Sequence, residues 1–138
     1  ALAAFIPVII GMGGNIGTQS STIIVRGMAT GRIEVGSELL VLIKELKVGL
    51  ILGVLYGVLL GIFANLKFIG TDPMLGLVVG LSIASSMLIA VTVGSFTPLI
   101  LRKLEIDPAV AAGPFVTTSI DILGVLLYFV IAGILLKI

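Results

Sequence analysis

One acidic side chain in the middle of an apolar run is the residue best able to do chemistry in this sequence. Asp121 lies in the last apolar stretch, which runs from about Pro108 to Leu136. A run of that length can cross a bilayer as a helix, since about 20 apolar residues suffice. An ionised carboxylate near the bilayer midplane costs about 2.5–3.5 kcal/mol even on a lenient scale. Asp121 must therefore be protonated, be wetted by a cavity, or face a cation.

Oxygen atoms of several residues converge with Asp121 on one helical face. The residues that share this face are Thr117, Thr118 and Gly124, and Pro114 is expected to free backbone carbonyls from the helical ladder. Mg2+ prefers such hard donors, keeps most of its waters and takes only one or two carboxylates. One Asp121 from each of two chains would meet that demand. The alternative is a protonated or water-bonded Asp121 with a structural role.

The composition indicates an all-α, polytopic membrane helix bundle. Of the 138 residues, 59% are hydrophobic and 11% are charged, whereas soluble domains carry about 25% charged residues. The sequence contains no Cys and no His, which excludes disulfides and thiolate or imidazole metal sites. We predict no enzyme, because no nucleophile–base pair occurs at one depth. The net charge of +1 and the lack of a basic patch predict no nucleic-acid partner.

Four apolar runs predict four transmembrane helices, at residues 1 to about 25, 48–66, 74–101 and 108–136. The second run carries glycines at a regular four-residue spacing, namely Gly49, Gly53, Gly57 and Gly61. Four glycines in register predict close packing of this helix against another helix.

Polar residues without charge make the first run unusual. Residues 11–22 read GMGGNIGTQSST, which leaves two interpretations open. Small residues let helix backbones approach while Asn15 bonds to a neighbouring helix. Alternatively, the stretch has an irregular backbone that lines a water-filled cavity, where such a backbone is tolerated.

Residues 26–47 form the most charged connection of the chain. Leu39, Leu42, Ile43 and Leu46 recur at helical spacing, so we predict an amphipathic helix at the membrane interface before the second span. A solvated loop with a helical end is the alternative.

The distribution of basic residues predicts the orientation. Six of them lie in two connections on one side, namely Arg26, Arg32, Lys44, Lys47, Arg102 and Lys103, whereas the other side has Lys67 and Lys137. We therefore expect the 26–47 and 102–107 connections to be cytoplasmic. Because Ala1 falls inside an apolar run, we also expect a missing upstream segment.

Two motifs are separated by two predicted spans, namely residues 13–20 (GGNIGTQS), preceded by Ile6-Pro7, and residues 113–124 (GPFVTTSIDILG). Together they resemble the membrane domain of the MgtE magnesium channels. The resemblance covers essentially the whole chain, so that residues 1–138 would be one transmembrane pore domain. It implies a homodimeric, Mg2+-selective channel of the inner (plasma) membrane with five helices per subunit, four of them present here, and a pore on the dimer axis.

The resemblance also implies roles for individual residues. Asp121 would hold a hydrated Mg2+ ion, with backbone oxygens from Thr117 and Gly124. The residues that would line the rest of the pore are Gly13, Gly14, Asn15, Gly113, Pro114 and Thr118. Mg2+ would be both the bound and the transported ion, and the partners would be the lipid bilayer and a second copy of the chain.

Two other functions compete with a passive Mg2+ channel. A proton-coupled divalent cation transporter would load Asp121 alternately with a proton and a cation. A non-transporting membrane subunit would instead dimerise through the glycine stripe. The residues alone do not discriminate Mg2+ from Ca2+, Mn2+ or Co2+.

Overall fold

A computed structural model describes residues 1–34, 36–70, 72–111 and 113–137, and this part of the chain consists of helices and turns. A 3-10 turn at Leu2–Phe5 leads into α1 (Ile6–Ala29), which is followed by α2 (Glu38–Lys67), α3 (Leu75–Lys103), α4 (Pro108–Ala111) and α5 (Pro114–Leu136). Helices α1, α2, α3 and α5 are long and apolar enough to cross a membrane. The predicted all-α bundle with four spans is confirmed.

Helix α3 occupies the centre of the bundle. Half of its most apolar window is buried, compared with 22% in each of the other three spans, and it packs against α1, α2 and α5. Its buried positions include Ser82, Ser86, Ala90 and Gly94, whose small side chains allow neighbouring helices to approach closely. The central position of α3 therefore follows from its small residues.

The glycine-rich part of the first span is a regular helix. Residues 11–22 all belong to α1, so the expected irregular backbone is wrong, whereas the lining of a pore by this stretch stays a prediction. Gly13 and Gly17 are buried against the rest of the bundle. Pro7 lies in the first turn, where its missing N–H costs no helical hydrogen bond.

Helix α2 begins before the second apolar run and includes the predicted interfacial segment. Its 30 residues extend over about 45 Å at 1.5 Å per residue, which exceeds the roughly 30 Å of a bilayer core. The prediction of a separate amphipathic helix is therefore wrong, because neither proline nor glycine breaks the helix between Glu38 and Lys47. Leu39, Ile43 and Leu46 point outward.

The glycine stripe of α2 packs within the subunit. A Cβ atom added to Gly57 would lie 2.6 Å from the carbonyl oxygen of Gly80, and one on Gly61 would lie 2.7 Å from that of Gly76. Gly53 faces the carbonyl oxygen of Ala84 at 3.0 Å in the same way. Because α3 covers the stripe, it is not available for dimerisation, which removes the basis of the non-transporting alternative.

The last apolar run is divided rather than continuous. Helix α4 ends at Ala111 and α5 begins at Pro114, so the prediction of one helix from about Pro108 is wrong. Gly113 precedes α5 with φ −103° and ψ −102°, which is not a helical conformation. Proline suits the first position of a helix, because the N–H that it lacks would have no helical acceptor there.

Candidate ion-binding site

Asp121 of α5 faces Gly14 of α1. A Cβ atom added to Gly14 would lie 3.7 Å from Oδ1 of Asp121 and 4.0 Å from the methyl group of Thr117. Since Gly14 has no side chain, the carboxylate lies close to the backbone of α1. The structure thus brings together the two segments that carry the candidate site, although Gly14 and Asp121 are 107 positions apart in the sequence.

The carboxylate of Asp121 has an unsatisfied oxygen. The side chain is half-buried, and its Oδ1 atom is buried without a hydrogen-bond partner among the described residues. Leaving such an atom unpaired costs about 1–3 kcal/mol, and more for a charged group. A water molecule or a hydrated cation would remove that cost, because either can be bound by a carboxylate oxygen.

Thr117 forms hydrogen bonds within the first turn of α5. Its hydroxyl donates to the carbonyl oxygens of Pro114 at 3.1 Å and Gly113 at 3.3 Å. Its backbone N–H also donates to the carbonyl oxygen of Gly113, at 3.2 Å. Pro114 begins α5 and does not interrupt a continuous helix, so its expected release of backbone carbonyls stays a prediction. The hydrogen bonds of Thr117 hold these two carbonyl groups in place about two turns before Asp121.

Gly124 of α5 is buried against α1 and α3. A Cβ atom added to it would lie 3.0 Å from Oγ of Ser86 and 3.6 Å from Ile9, so its α-carbon faces the interior of the subunit. A Cβ atom added to Gly13 of α1 would lie 3.1 Å from the same Ser86 hydroxyl. Ser86 therefore lies where α1, α3 and α5 meet.

Polar side chains lie on the outer surface of α1 and α5 close to Asp121. Asn15 and Thr118 are exposed, whereas Gly113 is half-buried and Pro114 is exposed. An exposed amide within a membrane-crossing helix needs water or a protein partner to satisfy it. The surface around Asp121 is therefore suited to face a water-filled space or a second subunit.

A second buried carboxylate was missed in the sequence. Glu45 is only 9% exposed, and its Oε2 accepts a hydrogen bond of 2.7 Å from the hydroxyl of Ser20 on α1. In the sequence Glu45 falls within the charged connection of residues 26–47, yet it continues the four-residue spacing of the glycine stripe to the N-terminal side of Gly49. That continued spacing was the signal that could have identified it.

The fold and the site define a multi-pass membrane protein that presents a carboxylate at a close contact between two membrane-crossing helices. Residues 6–131 match the family model described as MgtE, divalent cation transporter, and the chain belongs to this family. The description is that of a transporter and not of an enzyme. Together with the four apolar helices, family membership makes the chain a multi-pass plasma membrane protein.

Three curated relatives are named magnesium transporter MgtE. The protein of Thermus thermophilus is 39% identical over 137 residues, which is 99% of this chain and 30% of that protein. The Bacillus subtilis protein is 37% identical over 132 residues, which is 96% of this chain and 29% of that protein. The Enterococcus faecalis protein is 35% identical over 140 residues, which is 99% of this chain and 30% of that protein. The chain spans about 30% of the length of these relatives, and the predicted family resemblance is confirmed.

The space between Gly14 and Asp121 gives a graded test of the site. Gly14→Ala adds a Cβ at an ordinary contact distance of 3.7 Å from Oδ1, and we expect it to leave ion uptake within about twofold of wild type. Gly14→Leu extends beyond that Cβ into the space at the carboxylate, and we expect it to reduce uptake about tenfold or more, because misplacing a metal-binding group typically costs 10–100-fold. Both variants would be measured in proteoliposomes that contain the full-length protein. Equal uptake in the two variants would show that no ion passes between α1 and Asp121.

Proposed function

We propose that this chain forms the pore of a Mg2+ channel, in which two copies enclose a pore on the dimer axis and Asp121 holds the hydrated ion. The observation that carries the proposal is the buried, unsatisfied Oδ1 of Asp121 against Gly14. The names of the three relatives support magnesium as the transported ion. Because the chain spans about 30% of these relatives, the proposal concerns the full-length protein.

The chemistry of Mg2+ fits a site with a single carboxylate per subunit. Mg2+ loses its waters reluctantly and is commonly held by one or two carboxylates. Asp121 would accept hydrogen bonds from the water shell of the ion, and the equivalent residue of the second subunit would do the same. The half-buried position strengthens the attraction, since charges interact more strongly at lower dielectric. Bound Mg2+ would also relieve the repulsion between the two carboxylates.

Other residues would shape the pore around this ion. Thr117 and Gly124 would contribute backbone oxygens from α5. The remaining lining would come from Gly13, Gly14, Asn15, Gly113, Pro114 and Thr118. The pore would be wet, because a hydrated ion needs exposed polar groups such as the amide of Asn15 along its path.

A proton-coupled transporter is the second candidate, and one specific observation favours it. Glu45 is a buried acid that bonds to Ser20 of α1, and Ser20 lies six residues beyond Gly14, which is roughly 9 Å along the helix. A carboxylate that exchanges protons is a common element of coupled transport. The channel remains the preferred proposal, because the unsatisfied oxygen belongs to Asp121 and not to Glu45.

Uptake under imposed gradients separates the two candidates. We expect Mg2+ uptake by proteoliposomes of the full-length protein to follow the Mg2+ gradient and to remain unchanged when a proton gradient is imposed or collapsed at a fixed membrane potential. Uphill Mg2+ movement driven by the proton gradient would contradict the channel. If Glu45→Gln then abolished this uphill movement, Glu45 would be the proton-carrying group.

A further inference from the structure

A basic cavity lies at the end of the bundle where α1 ends and α2 begins. Its volume is about 430 Å³, and its lining includes three basic side chains, those of Arg26, Arg32 and Lys44, together with Glu45 and Ile23. Small-molecule sites have volumes of about 300–1,000 Å³. Three basic groups against one acidic group leave a surplus of two positive charges in the lining. The cavity is therefore suited to an anion.

The turn that carries Arg32 has a defined position. The N–H groups of Arg32 and Ile33 both donate to the carbonyl oxygen of Gly27, at 2.9 and 3.1 Å. The Ile33 side chain is buried against Ile24 and Leu99, and the guanidinium of Arg102 donates to the carbonyl oxygen of Ile33 at 3.4 Å. This wall of the cavity is consequently part of the packed fold rather than a loose surface loop.

Three acceptors at this end of the bundle are already bonded within the chain. At the end of α1, the carbonyl oxygens of Arg26 and Gly27 accept N–H groups of residues 30, 32 and 33. The carboxylate of Glu45 accepts the Ser20 hydroxyl. Within the described ranges, no residue forms an ion pair with Arg26, Arg32 or Lys44. These cations are thus left to bind a group from outside the chain.

We propose that this cavity binds the phosphate group of an anionic membrane phospholipid. Arginine side chains match phosphate oxygens with two parallel hydrogen bonds, and basic pockets between membrane helices bind anionic headgroups. Leu40 and Ile43 of α2 precede Lys44 in the sequence and are exposed, as is Ile23 in the lining. These apolar groups provide the surface for acyl chains that a soluble phosphate would not use. The proposal does not depend on the transported ion.

Competition between lipids tests the proposal on the full-length protein. Purified protein would be exposed to equal amounts of phosphatidylglycerol and phosphatidylcholine, and the retained lipids would be counted by native mass spectrometry. We expect wild type to prefer phosphatidylglycerol and Arg26→Gln/Arg32→Gln to reduce that preference about tenfold or more, since each basic group near a membrane surface contributes roughly fivefold. The matched control is Lys67→Gln/Lys137→Gln, which removes two charges at the other end of the bundle and should keep the wild-type preference.

Two outcomes would overturn the proposal. One is an equal preference for phosphatidylglycerol in wild type, the arginine variant and the lysine control. The other is binding of inorganic phosphate that depends on Arg26 and Arg32 while lipid retention does not, which would make a soluble anion the occupant. If the double variant does not fold, Lys44→Gln replaces it, because the Lys44 side chain is exposed, and we expect a severalfold loss of preference.

Discussion

Asp121→Asn and Asp121→Ala are both expected to reduce Mg2+ uptake by about 10- to 100-fold, the range seen when groups that position a bound metal are removed. Asparagine keeps the shape of the side chain and one carbonyl oxygen but removes the charge. A hydrated cation is bound chiefly through that charge, so the conservative variant should be nearly as inactive as alanine. Uptake by proteoliposomes of the full-length protein is the measurement.

Glu105→Gln is the matched control for the Asp121 variants. Glu105 is an exposed acid in the turn after α3, so its loss removes one negative charge outside the apolar core, and uptake should be unchanged. Thermal melting gives a second readout, because a ligand that binds only the folded state stabilises it. Mg2+ should raise the melting temperature of wild type and Glu105→Gln more than that of the Asp121 variants. Full uptake by folded, dimeric Asp121→Ala would make Asp121 structural and direct attention to Asn15.

Gly57→Val is expected to give the largest loss of stability among substitutions in the glycine stripe. The added Cβ would lie 2.6 Å from the carbonyl oxygen of Gly80, which is backbone and cannot rotate away as a side chain could. Helices α2 and α3 would have to separate, and overpacking of this kind costs about 1–3 kcal/mol and occasionally more. The free energy of unfolding in detergent, measured by denaturant titration, is the test.

Gly11→Val provides the control, because a Cβ at Gly11 meets nothing within 4 Å. Both substitutions exchange a helical glycine for the same β-branched residue, so differences in helix propensity cancel and the remaining difference reports on packing. We expect Gly57→Val to be less stable than Gly11→Val by about 2 kcal/mol. Equal stabilities would mean that α2 and α3 do not pack through the stripe.

Glu45 and Asp121 show how differently two acids in this fold are satisfied. Glu45 accepts the hydroxyl of Ser20, whereas Oδ1 of Asp121 has no partner among the described residues. A buried carboxylate that is hydrogen-bonded within the chain is commonly structural, whereas an unsatisfied one requires an explanation, of which a bound water or ion is one. This contrast is the reason why the ion site is proposed at Asp121.

The sequence by itself determined the number of membrane spans and the position of Asp121 within the last one. Long apolar runs are a direct consequence of bilayer thickness, and an acid inside such a run is conspicuous. The two segments around Gly14 and Asp121 also carried enough of the family pattern to identify the family. The boundaries were less well predicted: α2 extends to Glu38, and the last run is divided before Pro114.

Only the tertiary structure decided which helix faces meet. In soluble helices the apolar face reveals the contact surface, but in α2 nearly every position is apolar, because lipid and protein neighbours are equally apolar. The glycine stripe predicted a helix–helix contact but did not identify α3 as the partner helix. For the same reason the sequence did not show that Gly13 packs against Ser86 while Gly14 faces Asp121. Adjacent residues lie about 100° apart on a helix. Which of the two glycines faces Asp121 therefore depends on how α1, α3 and α5 pack.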